Sequence, residues 1–469
     1  MKTRKNRNKC KNGRKTIATG GKALATGGKV IASGGFGCVF NPALRCQGKQ
    51  TRGKNMISKL LTKKHALSEY NEIKEFKKKL DKIPNYQNYF LIDNFSICKP
   101  AKLSASDLVS YKETCSALPK DKITKENINS SLDKVFALNM PNGGLPVDDF
   151  FLKHNSYKNI VKLNNVLLKL LNNGIIPMNK HNIYHCDIKD SNILIDSSSS
   201  LKARLIDWGL STEYLANIEQ PFPKTWRNRP FQFNVPFSIV IFSDLFFDKY
   251  SKYIKEGGKI DYESLKPMVI EYIYLWLKER GEGHYKYINQ IMFMLFSNEL
   301  HDIYEKEKII ETEFTLPYIY NYIIEVLINF TNFRKDGTLN LRGYIDNIFI
   351  KIVDIYGFII SYLPIFEALF ENYTKLNENE LELFESLKKI FIKYLFSPRI
   401  QAINVNELTN ELKDFNKILN VSKIKSSRNK SISLKVSSSK RNKGVTGQTY
   451  LLNFRHKKTS KIQISNHNI

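Results

Sequence analysis

His185-Cys186-Asp187-Ile188-Lys189-Asp190-Ser191-Asn192, followed by Ile206-Asp207-Trp208-Gly209, constrains the fold of this chain more than any other stretch. The apolar runs Ile193-Leu194-Ile195 and Leu205-Ile206 read as two short buried strands, joined by the serine run Ser197 to Ser200. Strands of this kind hold the polar residues at their ends in a fixed relation. One end carries a carboxylate, a lysine and an asparagine; the other carries a second carboxylate.

The chain has 469 residues, enough for a large core. Its net charge of +28 is unevenly placed: residues 1–30 carry ten Lys or Arg and residues 420–469 carry twelve, with no Asp or Glu in either stretch. Residues 1–27 and 421–469 therefore read as disordered basic tails, able to contact nucleic acid or another polyanion through released counterions. An AT-rich codon bias, visible in the abundance of Lys, Asn, Ile and Tyr, explains the same charge without a partner. The six cysteines form no C-x-x-C pair, which speaks against a zinc site or a disulfide framework and for a reducing interior. There is no apolar signal core at the N-terminus, and the greasy run Ile355 to Phe366 is too short for a bilayer. The expectation is a soluble intracellular protein without a membrane partner, its oligomeric state open.

Along the chain, a repeat runs Ala18-Thr-Gly-Gly-Lys22, Ala25-Thr-Gly-Gly-Lys29 and Ala32-Ser-Gly-Gly-Phe36, and only the last copy leads into a strand-like run. Strands are expected over Met56 to Leu61, Phe90 to Ile97 and Lys134 to Met140, with a helix over Ala66 to Leu80. Residues 100–130 read as a polar insertion. From 155 onward helices dominate, including Val161 to Leu171 and Val405 to Leu419. The fold class is α+β: a small β-rich part precedes a large helical part.

Other residues join the central motif. Ile31-Ala32-Ser33-Gly34-Gly35-Phe36-Gly37-Cys38-Val39 is a glycine-rich turn whose backbone amides suit phosphate oxygens. Lys59 follows it in a strand, and Glu69, Glu72 and Glu75 lie on the next helix. Together these stretches resemble the eukaryotic-type protein kinases, and the divergent details look most like Ser/Thr kinases of large DNA viruses. The specific part of the resemblance is 185–209; its full extent is 28–420.

That resemblance implies a bilobal kinase fold, ATP and Mg²⁺ as cofactors, and a protein substrate phosphorylated on Ser or Thr. It makes Asp187 the acceptor or orienter of the substrate hydroxyl proton and Lys189 the neutraliser of the transferring phosphate. Asn192 and Asp207 become the magnesium ligands, and Lys59 pairs with Glu69 while gripping phosphates. Residues 31–39 would cover the nucleotide. Phe136 to Leu145 would be the hinge; because Pro141 has no N–H, Met140 is the candidate contact to adenine. Four departures stand out. Ala32 replaces the first loop glycine, Cys186 replaces the arginine that reads a phosphorylated activation loop, and Trp208 replaces a phenylalanine. Trp226 to Pro236 occupies the place of the Ala-Pro-Glu anchor. Asp354 and Gly357 resemble a helix segment whose aspartate holds the catalytic-loop backbone, which makes residues 237–345 a helical insertion. Ser397-Pro398-Arg399-Ile400 resembles the turn before the last helix. The competing readings are a pseudokinase scaffold and a polyanion-binding virion protein.

Overall fold

The computed structural model describes residues 28–48, 55–297, 306–397 and 400–420. Both basic terminal stretches, the first repeat copy and Pro398-Arg399 lie outside these residues. Alternating apolar residues fold as a five-stranded antiparallel sheet: β1 Lys29–Ser33, β2 Gly37–Asn41, β3 Met56–Thr62, β4 Ser96–Cys98 and β5 Val135–Pro141, in the order β1-β2-β3-β5-β4. Helix α1, Lys63–Leu80, follows β3 directly and turns Ala66, Ile73 and Leu80 inward. The strand expected over Phe90 to Ile97 shrinks to β4. Asn94 takes a left-handed φ of 59° and interrupts the extension, leaving Phe90 a lone bridge to Leu205.

Register decides what each face of the sheet does. Val39, Lys59 and Leu138 are cross-strand partners, and so are Cys38, Leu60 and Ala137. Side chains alternate between faces, so the two sets point in opposite directions. The second face is covered by residues 103–128, which corrects the expectation of a polar insertion. Leu103, Tyr111, Leu118, Ile123 and Ile128 form a second core with Val30, Phe40 and Leu60. The segment folds as short turns, and its apolar residues follow no regular period.

The cysteines also depart from expectation. Cys38 pairs with Cys115 and Cys46 with Cys98, at Cα separations of 5.4 and 5.7 Å, while Cys186 is free and buried. The partners lie 77 and 52 residues apart in sequence, and only the sheet brings them together. The expectation of unpaired thiols throughout is overturned.

The remainder is helical. The helix Tyr157–Leu170 begins four residues before the expected Val161, and the last helix, Val405–Asn420, packs against it. The helix Ile350–Ile360 is buried at every residue but Lys351. The helical run Arg342–Glu371 is long and apolar enough to cross a membrane, contrary to the length read from sequence; 94% of its apolar window is buried within the fold, as in a core helix. The described residues of 237–345 are mostly helical, as expected, yet they are no appendage. Tyr322, Ile323 and Val326 enter the same core as Ile352 to Phe366, and Tyr272 donates to the Val240 carbonyl at 2.6 Å.

Candidate active site

Lys59 stands on the open face of β3, and α1 starts immediately after that strand. This geometry swings Glu69 back over the lysine: Lys59 Nζ donates to both carboxylate oxygens, at 2.7 and 2.8 Å. Burial by itself would depress the Lys59 ammonium, but Glu69 and Asp207 more than offset it and raise it. Burial also raises the Glu69 carboxyl, with Lys59 opposing. The two-oxygen contact between partners about one-sixth exposed favours the charged pair over two neutral groups. Glu72 and Glu75 do not share this contact.

The loop from His185 to Asn192 is held from below by Asp354. Its carboxylate, 1% exposed, accepts from the backbone N–H groups of His185 at 2.9 Å and Cys186 at 2.8 Å. Asn179 donates to it as well, at 2.7 Å. Gly357 lets the helix approach this closely, because a Cβ there would come 2.4 Å from the Ile188 carbonyl oxygen. Cys186 and Asp207 both adopt left-handed φ, 58° and 66°. Non-glycine residues hold that conformation only where the surroundings impose it, and such positions cluster at functional sites. Trp208, 2% exposed, is wedged among His185, Phe76 and Phe90, with ring centroids 5.0, 5.7 and 5.7 Å away. Helix α1 is thereby coupled to the loop.

Asp187 is surrounded by donors. Lys189 Nζ lies 3.2 and 3.0 Å from its two oxygens, Asn192 Nδ2 2.9 Å from Oδ2, and Asn234 Nδ2 2.8 Å from Oδ1. Burial would raise this carboxyl, but Lys189, Arg229 and Asn234 together hold it below its ordinary range. It is an ionised and weakly basic acceptor. Such a group orients a hydroxyl well and abstracts its proton only late in a reaction.

The donors of the Asn192 amide are spent on Asp187, one on its carboxylate and one on its carbonyl at 2.8 Å, which leaves Oδ1 free to bind a cation. Ile206 N–H donates to the Asn192 carbonyl at 3.0 Å and so brings Asp207, exposed, beside it. Among the described residues no cluster of three or more His, Cys, Asp or Glu side chains is able to hold a metal. Two oxygen donors, with phosphate and water completing the shell, suit Mg²⁺ rather than a cation needing a full protein cage.

The glycine-rich turn closes through Gly34 N–H to the Gly37 carbonyl at 2.8 Å and lies over the lysine; a Cβ on Gly34 would sit 3.9 Å from Lys59 Cε. Gly37 has no room for a side chain, since a Cβ would fall 2.5 Å from the Leu60 carbonyl oxygen. Phe36 at the tip is 60% exposed and stacks on His65 at 4.4 Å. Ala32 and Val39 share the Lys59 face, Ile31 occupies a bulge between Val30 and Ala32, and Gly35 is exposed. Two residues of the turn can contribute only through their backbone. Ser33 Oγ accepts from the backbone N–H groups of Ser116 and Ala117, at 3.1 and 3.2 Å, and Cys38 is bonded to Cys115. Both side chains point away from Lys59, so only their backbone can serve a ligand. Met140 is half-buried on β5 opposite Ile57, and Pro141 opposite Met56.

Two residues at Asp187 went unrecognised in the sequence: Asn234 and Arg229. They lie in Trp226 to Pro236, a stretch without periodicity whose one signal was the absence of an anchor motif. Trp226 Nε1 donates to Cys186 Sγ at 3.1 Å, and burial pushes that thiol well above its ordinary value. Lys59 and Glu69 form one contact set, and Asp187, Lys189 and Asn192 a second; the charge of Asp207 acts on the first, and its neighbour Ile206 is bonded to the second. Comparison with known protein families finds no matching family model, and comparison with curated proteins finds no match.

Proposed function

We propose that this chain is an ATP- and Mg²⁺-dependent protein kinase acting on Ser or Thr hydroxyls, with the bilobal fold of that superfamily. One observation carries the reading. The Lys59–Glu69 ion pair and the Asp187–Lys189–Asn192 cluster, more than a hundred residues apart, meet around Asp207. Phosphoryl transfer asks a protein for positioning and charge neutralisation rather than covalent chemistry, and these groups supply both.

Mg-ATP, when bound, would supply the phosphoryl group and its charge-balancing cation, for which Asn192 and Asp207 would be the oxygen ligands. Lys59, fixed by Glu69, would be held toward the phosphates. The glycine-rich turn above it offers backbone amides. Asp187 would accept the hydrogen bond of the incoming hydroxyl and orient its oxygen, receiving the proton as the new phosphate ester bond forms and the β–γ phosphoanhydride bond breaks, with ADP as the leaving group. Lys189, already beside Asp187, stabilises negative charge between that hydroxyl and the phosphate.

The test is phosphate transfer from labelled ATP to casein, to myelin basic protein and to the chain itself. Mg²⁺-dependent labelling is expected, falling about a hundredfold or more in Asp187→Asn. Labelling by neither protein, or equally by both, overturns the reading.

A further inference from the structure

Residues 226–234 occupy the place where the resemblance lacks its anchor, yet they are tied down on both sides. Toward the catalytic loop, Trp226 Nε1 reaches Cys186 Sγ, while Asn234 Nδ2 reaches Asp187 Oδ1 at 2.8 Å and the Ile188 carbonyl at 3.3 Å. On the other side, Trp276 Nε1 donates to the Arg229 carbonyl at 3.3 Å and Arg280 Nη2 to the Asn228 carbonyl at 2.6 Å. The backbone N–H of His284 donates to the Phe231 carbonyl at 2.8 Å, and that of Asn228 to the Phe242 carbonyl at 3.0 Å. Trp276 and Arg280 belong to the helix Tyr262–Arg280, within the region for which the sequence offered no role.

Arg229 is the unusual member. Its side chain is 5% exposed, and Nε is committed to Gln232 Oε1 at 2.6 Å. Nη1 and Nη2 are buried and hydrogen-bond to nothing among the described residues. A buried guanidinium without direct partners is costly unless opposite charge lies close by. Asp187 and Asp354 provide it, and Arg229 in turn helps to keep the Asp187 carboxyl low. Cys186 stands where the resemblance expects an arginine, and this arginine arrives instead from the irregular segment 226–234.

We propose that Asn234 and Arg229 are positioning residues for Asp187, held by the helix Tyr262–Arg280 in place of the missing anchor, so that activity requires no phosphate on residues 207–243. The inference rests on the kinase reading and deepens it. Asn234 fixes one carboxylate oxygen of Asp187 by a direct bond. Arg229 supplies the adjacent positive charge that a phosphate-reading arginine would otherwise bring into register. Trp276 and Arg280 fix the backbone from which both side chains project, which gives part of residues 237–345 a catalytic purpose.

The test uses the full chain, labelled ATP and casein, with autolabelling as the second readout. Wild-type protein treated with phosphatase, and shown by mass spectrometry to carry no phosphate on 207–243, is expected to keep its turnover. Asn234→Ala is expected to lower kcat about tenfold or more while leaving KM for ATP unchanged, since the lost bond is to a charged group that does not touch nucleotide. Trp276→Phe is expected to lower kcat several-fold with the same split. If Asn234→Ala does not fold, Arg229→Lys against Arg229→Gln reads the same point, the lysine variant retaining most of the turnover that the glutamine variant loses. Wild-type kcat in Asn234→Ala, equal kcat in both Arg229 variants, or loss of wild-type turnover on dephosphorylation overturns the inference while the kinase reading stands. No labelling by wild-type protein removes both.

Discussion

At the scale of the residue, two carboxylates three positions apart behave in opposite ways. Asp187 is drowned in donors and stays ionised. Asp190 is buried beside Asp148, and burial first, then that neighbouring charge, raises its carboxyl to about 7. The sign of the linkage follows: a carboxyl with a raised folded-state value contributes stability that is complete below about pH 4 and is lost as pH rises toward 7. Asp190→Asn removes the charge that the fold resists. It is therefore expected to match wild type near pH 3.5 and to exceed it at pH 8. Asp190 keeps some contact with water, so the gain is about 1–2 kcal/mol, well below what the full shift would give. For a chain of this size that corresponds to about 2 °C in melting temperature. An equal difference at both pH values would show that Asp190 is ionised throughout.

At the scale of the element, β1 and β2 carry the glycine-rich turn and are bound from behind by residues 100–134. The Cys38–Cys115 bond, the Ser33 hydroxyl and the Gly28 N–H to Asp107 Oδ1 contact all join the turn to that covering segment. Opening the disulfide releases a 77-residue loop in the unfolded chain, worth about 4 kcal/mol by chain entropy. Cys115→Ser is expected to melt several degrees lower and to raise KM for ATP several-fold with little change in kcat. In a background with Cys46 and Cys98 both changed to Ser, reductant is expected to do the same to the remaining disulfide and nothing further once Cys115→Ser is added; a KM that ignores both treatments would uncouple the covering segment from the turn. None of this was legible in the sequence. Strand β3 and helix α1 were, because apolar period and turn residues announce them locally. The covering segment declares itself only through contacts made after the sheet has formed, and the disulfides share that cause. For the same reason the directions of the Ser33 and Cys38 side chains were not legible: a motif gives the path of a backbone, whereas register gives the direction of each side chain.

At the scale of the whole molecule, the sheet and the helical part are joined by one core. Leu61, Ala66 and Ile73 belong to the same buried cluster as Ile188, Val353 and Phe358. The residues that the sequence singled out on each side, Lys59 with Glu69 and Asp187 with Asn192, were legible because each set is compact in sequence. Their meeting at Asp207 was implied by resemblance alone, and Asn234 by nothing, since a single amide in an aperiodic stretch carries no pattern. A shared core predicts one cooperative unfolding transition rather than two. A ligand bound across the junction stabilises the whole unit by mass action, about 2.7 kcal/mol at a hundredfold excess over its dissociation constant. A non-hydrolysable ATP analogue with Mg²⁺ is therefore expected to raise the melting temperature by about 3 °C. Because Asp207 is the proposed cation ligand and its charge also acts on Lys59, Asp207→Ala is expected to abolish the Mg²⁺-dependent part of that shift while retaining the single transition. A magnesium response that survives Asp207→Ala would move the cation away from Asp207 and Asn192, and two separate transitions would show that the core does not bind the parts into one unit.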